Sequence, residues 1–157
     1  MSKRIAMVRI RKEQEAKKVV RTTLKRLRLF KKNTCSIVTN DPKYVGMIKV
    51  VKDYITWGEL DEETFKLLLK KRGKLPGNKP LTEEYIKEKT KVDLEEFAKE
   101  FIEAKRDLKE ITGLKQFFRL TPPVKGFERK GIKIPFSQGG ALGYRKEKIN
   151  ELIKRMI

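Results

Sequence analysis

The first 58 residues contain three short segments with the hydrophobic pattern of β-strands. In RIAMVRIR, residues 4–11, apolar side chains alternate with arginines, which is the period of a strand. TCSIVT, residues 34–39, is short and rich in β-branched residues, and YITW, residues 54–57, is followed by Gly58 as a predicted strand end. The pattern therefore predicts three strands in this part of the chain.

Helical spacing fills the gaps between these strands. From Lys12 to Phe30 the apolar residues recur every three or four positions, so that one face is apolar and another is basic. Asp41 can cap a second helix that begins at Pro42. The resulting order β-α-β-α-β predicts an α+β fold in which helices cover a sheet. The apolar face of the first helix is expected to comprise Ala16, Val19, Val20, Thr23, Leu24 and Leu27.

The middle third of the chain is predicted to be helical. Asp61, Thr82 and Asp93 each precede a run with helical spacing and are suitable caps. The helix that begins at Leu94 is expected to continue almost to Gly113. It is expected to bury Phe97, Phe101, Ile102 and Leu108.

The last part of the chain combines a loop with a helix. Prolines at positions 122, 123 and 135 exclude a regular helix in the loop. The final segment has an apolar face that we expect to dock on the core. That face consists of Ile149, Leu152, Ile153 and Met156.

The distribution of charge indicates the kind of partner that the chain binds. The chain has 40 Lys plus Arg against 21 Asp plus Glu, a net charge of +19. Residues 1–58 carry 16 basic and 4 acidic side chains and residues 111–157 carry 11 and 3, whereas residues 59–110 carry 13 and 14. Such an excess destabilises a compact chain by self-repulsion unless a polyanion offsets it. Nucleic acid is the first expected partner. An anionic membrane surface is the second, and no apolar run approaches the roughly 20 residues of a spanning helix.

Composition disfavours most catalytic chemistry. The chain has no histidine, which removes the usual general base, catalytic triad and zinc ligands. Cys35 is the single cysteine, and the start of the chain lacks the apolar run of a secretory signal, so we expect the cytosol. The carboxylates cluster at predicted helix starts, where capping explains them better than catalysis. We expect no enzyme activity, cofactor, metal site, membrane partner or small-molecule substrate.

A glycine-rich stretch, GIKIPFSQGGALGYR at residues 131–145, leaves two interpretations open. It holds four of the ten glycines. It matches neither the P-loop pattern nor the dinucleotide-binding fingerprint. It can be a turn whose glycines take positive φ, or a place where backbone N–H groups approach a phosphate.

Two further features favour nucleic acid. Residues 16–40 contain no acid, which favours RNA contact over an ordinary solvated helix face. Basic residues also alternate with phenylalanines near the C-terminus, each of which is more often a core residue than a base-stacking one. These are Phe117, Phe118, Phe127 and Phe136. A metal-dependent nuclease and a general architectural nucleic-acid-binding protein are the rival hypotheses.

Two long segments, taken together, resemble a known family. They are NDPKYVGMIKVVKDYITWGEL, residues 40–60, and FRLTPPVKGFERKGIKIPFSQGGALGYRKEKINELIKRMI, residues 118–157. Both resemble the universal large-subunit ribosomal protein family numbered thirty, in its long archaeal form. The resemblance implies a ferredoxin-like β-α-β-α-β core with a helical insertion and a C-terminal basic loop plus helix. It also implies a structural protein that binds folded large-subunit ribosomal RNA in translation, including the second domain of that RNA. Proximity to 5S rRNA and contact with neighbouring ribosomal proteins are implied as well.

The resemblance organises the remaining expectations. Residues 1–58 become an RNA-binding core, residues 59–113 a near-neutral helical extension, and residues 114–157 a basic loop and a helix that packs back on the core. The glycine-rich stretch is then expected to lie against rRNA phosphates at Gly139 and Gly140, with Arg145 as its anchor. Valine at both glycines should weaken RNA binding without unfolding the protein. Direct phosphate contact is expected from several of Lys3, Arg4, Arg9, Arg11, Lys12, Lys17, Lys18, Arg21, Lys25, Arg26, Arg28, Lys31, Lys32, Lys125, Arg129, Lys130, Lys133 and Arg145.

Overall fold

A computed structural model of the chain describes residues 4–14 and 16–157. Its strands are β1 (Arg4–Arg9), β2 (Thr34–Thr39), β3 (Ile55–Glu59), β4 (Phe118–Arg119) and β5 (Gly143–Tyr144). Its helices are α1 (Lys18–Arg26), α2 (Pro42–Val51), α3 (Glu62–Arg72), α4 (Glu83–Thr90), α5 (Leu94–Ile102) and α6 (Ile149–Met156). The α+β class and the order β-α-β-α-β of the N-terminal part are confirmed.

The strands form one sheet in the order β4-β2-β1-β3-β5. β1 lies at the centre and pairs antiparallel with β2 and β3. The two outer strands come from the C-terminal part, with β4 antiparallel to β2 and β5 parallel to β3. Each outer strand has two residues, and the sequence pattern did not predict either of them.

Both faces of the sheet are covered. Ile5 and Met7 pack with α1 and α2 in one hydrophobic cluster. Ala6 and Val8, which alternate with them along β1, belong to a second cluster that includes side chains of α3, α5 and α6. All six residues of β1 are buried as a result.

The third strand is longer than predicted, because it continues through Gly58 to Glu59. A Cβ at Gly58 would lie 1.9 Å from the carbonyl oxygen of Lys146. The glycine therefore allows close contact with the turn that precedes α6, and it does not end the strand.

Two predictions about helices are wrong in detail. Val19 was placed on the buried face of α1 but is 65% exposed, because it lies at the margin of the stripe formed by Val20, Leu24 and Leu27. α5 ends at Ile102, well short of Gly113, because Ala104 takes a left-handed conformation with φ of 59°. Leu108 is buried nevertheless, in a short 3₁₀ turn.

The predicted docking face of α6 is confirmed. Ile149, Leu152, Ile153 and Met156 are all buried. They share the second cluster with Phe65 and Phe101, whose rings stack with centroids 4.2 Å apart. The cluster thus draws side chains from the core strands, the middle helices and the C-terminal helix.

Candidate nucleic-acid interface

α1 and the loop after it carry a dense group of exposed cations, here called the α1 surface. It comprises Lys17, Lys18, Arg21, Lys25, Arg26, Arg28, Lys31 and Lys32. Among the described residues, none of these eight side chains takes part in a salt bridge. Lys12 is exposed just before them, and Lys3 lies outside the described residues. The α1 surface therefore presents positive charge that no carboxylate in the described part of the chain pairs with.

The cations of residues 59–110 are arranged differently, since six of the 13 form salt bridges with other described residues. Lys66 lies 2.6 Å from Glu62, and Lys70 lies 2.7 Å from Glu83. Arg106 contacts two carboxylates. The near-zero net charge of residues 59–110 thus includes carboxylates that neutralise neighbouring cations directly. Paired surface charges of this kind attract a polyanion only weakly.

The C-terminal loop carries a second group of exposed cations, here called the basic loop. It comprises Lys125, Arg129, Lys130 and Lys133. Glu128 is the single acid in residues 114–140, and it pairs inward with Arg145 at 2.7 Å. The exposed charge of the basic loop is therefore entirely positive.

Arg4 and Arg9 do not belong to this interface, and the predicted phosphate contact is wrong for both. Arg4 is buried, donates from Nε to the carbonyl of Phe101 at 2.9 Å, and contacts Asp107 at 2.8 Å. Arg9 is also buried and donates to the carbonyls of Leu29 and Phe30 at 2.8 and 3.0 Å. Burial lowers the pKa of Arg9, against the opposing effect of the neighbouring Glu13 carboxylate.

Arg11 is intermediate in exposure between the exposed cations and the buried arginines. It is half-buried, donates to the carbonyl of Asp53 at 3.2 Å, and lies over the ring of Tyr54. Its guanidinium group keeps donors that these contacts do not use.

Arg145 is also internal, so its predicted role as a phosphate anchor is wrong. Its side chain is 1% exposed. It donates to Thr56 Oγ1 at 2.8 Å, to the carbonyl of Ala141 at 2.7 Å and to the Glu128 carboxylate. Its guanidinium group also lies 4.7 Å from the centre of the Phe136 ring. Arg145 therefore holds the basic loop against the sheet.

The glycine-rich stretch is a folded turn. The N–H groups of Gly139 and Gly140 donate to the carbonyls of Phe136 and Pro135, so they cannot cradle a phosphate as predicted. Gly139 has φ of +89°, and a Cβ at Gly140 would lie 1.9 Å from the carbonyl oxygen of Ile134. Valine at Gly140 would therefore disrupt the turn, which contradicts the expectation of a folded double variant.

Two exposed residues were missed by the sequence analysis. Phe30 is 47% exposed and makes an edge-to-face contact with Phe117 at 5.3 Å. Arg119 is exposed on β4. The signal at Phe30 was present in LRLF, where buried Leu27 and Leu29 alternate with exposed Arg28 and Phe30. Of the other phenylalanines considered, Phe118 is fully buried, and Phe127 and Phe136 are half-buried.

Other kinds of site find little support. Within the described ranges no group of histidine, cysteine, aspartate and glutamate side chains could hold a metal ion. No helix in that part of the chain has the length and apolar character that crossing a bilayer requires.

Comparison with known proteins identifies the family of the chain. The model of the family "Ribosomal protein L30p/L7e" matches residues 5–55. A relative from Nanoarchaeum equitans, named large ribosomal subunit protein uL30, is 54% identical over 152 residues, covering 97% of each chain. A protein of the same name from Methanopyrus kandleri is 48% identical over 139 residues, 88% of this chain and 93% of its own. Another from Archaeoglobus fulgidus is 47% identical over 96% of this chain and 98% of its own. The chain belongs to the L30p/L7e family of ribosomal proteins.

Proposed function

We propose that the α1 surface and the basic loop bind the folded ribosomal RNA of the large subunit. As a member of its family, the chain is a structural, non-enzymatic protein of the large ribosomal subunit in the cytoplasm. Ribosomal RNA and other ribosomal proteins are its partners.

The observation that carries this proposal is the contrast between paired and unpaired cations. The eight cations of the α1 surface have no salt-bridge partner among the described residues, whereas six of the 13 cations in residues 59–110 do, among them Lys66, Lys70 and Arg106. Unpaired lysines and arginines release counterions from RNA when they bind its phosphates, which drives association. Such contacts fix position and orientation, and RNA shape supplies most of the specificity.

The same contrast supports different roles for different segments of the chain. Residues 1–58 and 114–157 supply the RNA-facing surfaces, through the α1 surface and the basic loop. Residues 59–113 face solvent or neighbouring ribosomal proteins. The paired charges of the middle helices suit that role, because they interact weakly with a polyanion.

The finer partners are also part of the proposal. The resemblance noted from sequence favours contact with the second domain of the large rRNA and a position near 5S rRNA. Crosslinking from Lys125 in the assembled subunit, followed by RNA sequencing, tests both. Crosslinks confined to other rRNA domains would contradict this assignment.

Matched charge removal tests the main proposal. The first variant changes Lys18, Lys25 and Lys32 to glutamine, and the control changes Lys71, Lys74 and Lys79, which are also exposed lysines. Both variants lose the same charge. Affinity for a transcribed archaeal large-subunit rRNA is measured by filter binding at several salt concentrations, with unrelated RNA and DNA as competitors.

We expect the first variant to bind less tightly and the control to bind like the parent chain. If all three lysines contact phosphates, the slope of log affinity against log salt falls by about 2 to 3. Equal weakening of both variants would mean that only net charge matters. Equal competition by DNA would support the general architectural alternative.

A further inference from the structure

We infer that Phe30 and Phe117 form a platform on which an unpaired nucleobase of the ribosomal RNA stacks. This aromatic pair lies beside the α1 surface, and the inference rests on the proposed RNA binding. It goes further, because it assigns contact to a base as well as to phosphates.

The exposed position of Phe30 is built into the fold. Arg9 donates to the carbonyls of Leu29 and Phe30, so a buried guanidinium fixes the backbone under the ring. The N–H of Asn33 donates to the carbonyl of Arg9 at 2.8 Å, which closes the loop on β1. Leu29, next to Phe30, is fully buried. A ring held in this way loses little conformational freedom when a ligand binds.

Phe117 supports the ring from the side. The centroids are 5.3 Å apart and the ring planes meet at 75°, so Phe117 contacts Phe30 edge-to-face. Phe117 is placed by β4, in which Phe118 pairs with Cys35 and is itself buried. Edge-to-face packing fixes one ring against the other and leaves ring surface available for stacking.

Charge complementarity identifies the occupant as RNA. Phe30 stands between Arg28 and Lys31, both exposed, and Arg119 is exposed two residues after Phe117. The segments that carry the two rings, residues 16–40 and 111–127, contain no acid. Single-stranded RNA is recognised by aromatic side chains that stack on bases while nearby cations hold the backbone.

A polar groove is lined in part by the segments that carry the two rings. Arg28 lies two residues before Phe30 and Gln116 directly precedes Phe117, and both line this groove together with Arg26 and Ser36. Its volume is about 200 Å³. Asp107 also lines it, and its carboxylate is engaged by Arg4. Apart from Asp107, these polar groups belong to the same two segments as the rings and can form hydrogen bonds with RNA.

The test compares two exposed aromatic residues, Phe30 in the loop after α1 and Tyr144 on β5. Phe30→Leu removes the platform and keeps an apolar side chain. Tyr144→Leu is the control, because Tyr144 on β5 is 46% exposed, close to the 47% of Phe30. Both variants of the full chain are titrated with the transcribed archaeal large-subunit rRNA at fixed salt. Ultraviolet crosslinking of the parent complex, with mass spectrometry, locates the amino acid bonded to a base.

We expect Phe30→Leu to weaken binding about 5- to 150-fold, the range for loss of one stacked base. Its salt slope should match that of the parent chain, because no phosphate contact is lost. Tyr144→Leu should change affinity less than twofold, and the crosslinked base should lie on Phe30 or Phe117.

Three results would count against the inference in distinguishable ways. A folded Phe30→Leu variant with parental rRNA affinity would overturn the platform while RNA binding through the lysines stands. A crosslink from Phe30 to a neighbouring ribosomal protein in the assembled subunit would show a protein contact instead. A parent chain without affinity for the rRNA would overturn the proposed function itself.

Discussion

Replacing Glu128 with glutamine tests whether the RNA affinity of the basic loop depends on the buried charge pair that holds it or on net charge. A purely electrostatic view predicts tighter RNA binding, because the substitution removes a negative charge beside four exposed cations. The structure predicts the opposite. Glu128 accepts from a side chain that is 1% exposed, at 2.7 Å, and the loss of its charge leaves Arg145 buried beside a neutral amide.

The size of the effect follows from the contacts. Hydrogen bonds to charged groups contribute about 1.5–3 kcal/mol each. Arg145 keeps Thr56 Oγ1, the carbonyl of Ala141 and the Phe136 ring, so the lower half of that range applies. A loss of about 2 kcal/mol in a chain of this size lowers Tm by about 4–8 °C.

Thermal unfolding followed by circular dichroism measures the stability change, and filter binding to the transcribed rRNA measures affinity. The control is Glu147→Gln, which makes the same charge change at an exposed residue in the turn before α6. We expect Glu128→Gln to lower both Tm and affinity, and Glu147→Gln to leave Tm within about 2 °C, the usual range for surface substitutions. A parental Tm together with tighter RNA binding in Glu128→Gln would show that net charge, and not the buried pair, determines RNA affinity.

Further predictions concern two glycines and the cysteine. Gly140→Ala should lower Tm sharply in a thermal melt, because its Cβ would overlap the carbonyl of Ile134. Gly46→Ala should stabilise the chain by about 0.5–1 kcal/mol in urea unfolding, since α2 has open space there and alanine is the better helix former; a loss of stability would contradict this. Burial raises the pKa of the Cys35 thiol to about 12, so iodoacetamide at pH 9 should label the unfolded chain and spare the native one by mass spectrometry. The Cys35 thiol of the unfolded chain ionises at about pH 8.5. The stability that the buried, neutral thiol contributes is therefore complete below that pH and is lost as the pH rises to about 12. Rapid labelling of the native protein would show that Cys35 is accessible.

The central strands and most helix starts could be predicted because their signals are local. The β-branched run at residues 34–39 matches β2 residue for residue, and Asp61 and Thr82 cap α3 and α4 through their side chains. The end of α5 could not be predicted in this way. It depends on a left-handed turn at Ala104, a residue that gives no sequence signal for positive φ.

The interface could be predicted only in part, and the reason is the second layer on the sheet. Alternating arginines in β1 indicate a strand with one solvated face. In the folded chain, segments about 60 to 150 residues further on cover the face that carries Arg4, so Arg4 becomes internal. Arg9 lies on the other face and is internal because it donates to the carbonyls of Leu29 and Phe30, 20 and 21 residues further on. Lysines and arginines on α1, where no distant segment packs over them, stay at the surface as expected. Packing contacts that the local pattern does not show are therefore what separate the internal arginines from the exposed ones.

The late origin of both outer strands has a consequence for synthesis of the chain. β1, β2 and β3 leave the ribosome that makes them about 100 residues before α6 does, a delay of about 5–20 s at usual elongation rates. Until α6 emerges the Ala6 and Val8 face lacks part of its cover, and the edges that β4 and β5 later close are at first unpaired. Open edges and bare apolar faces promote association with other chains. The nascent protein therefore passes through a stage at which a chaperone or early capture by RNA would protect it from aggregation.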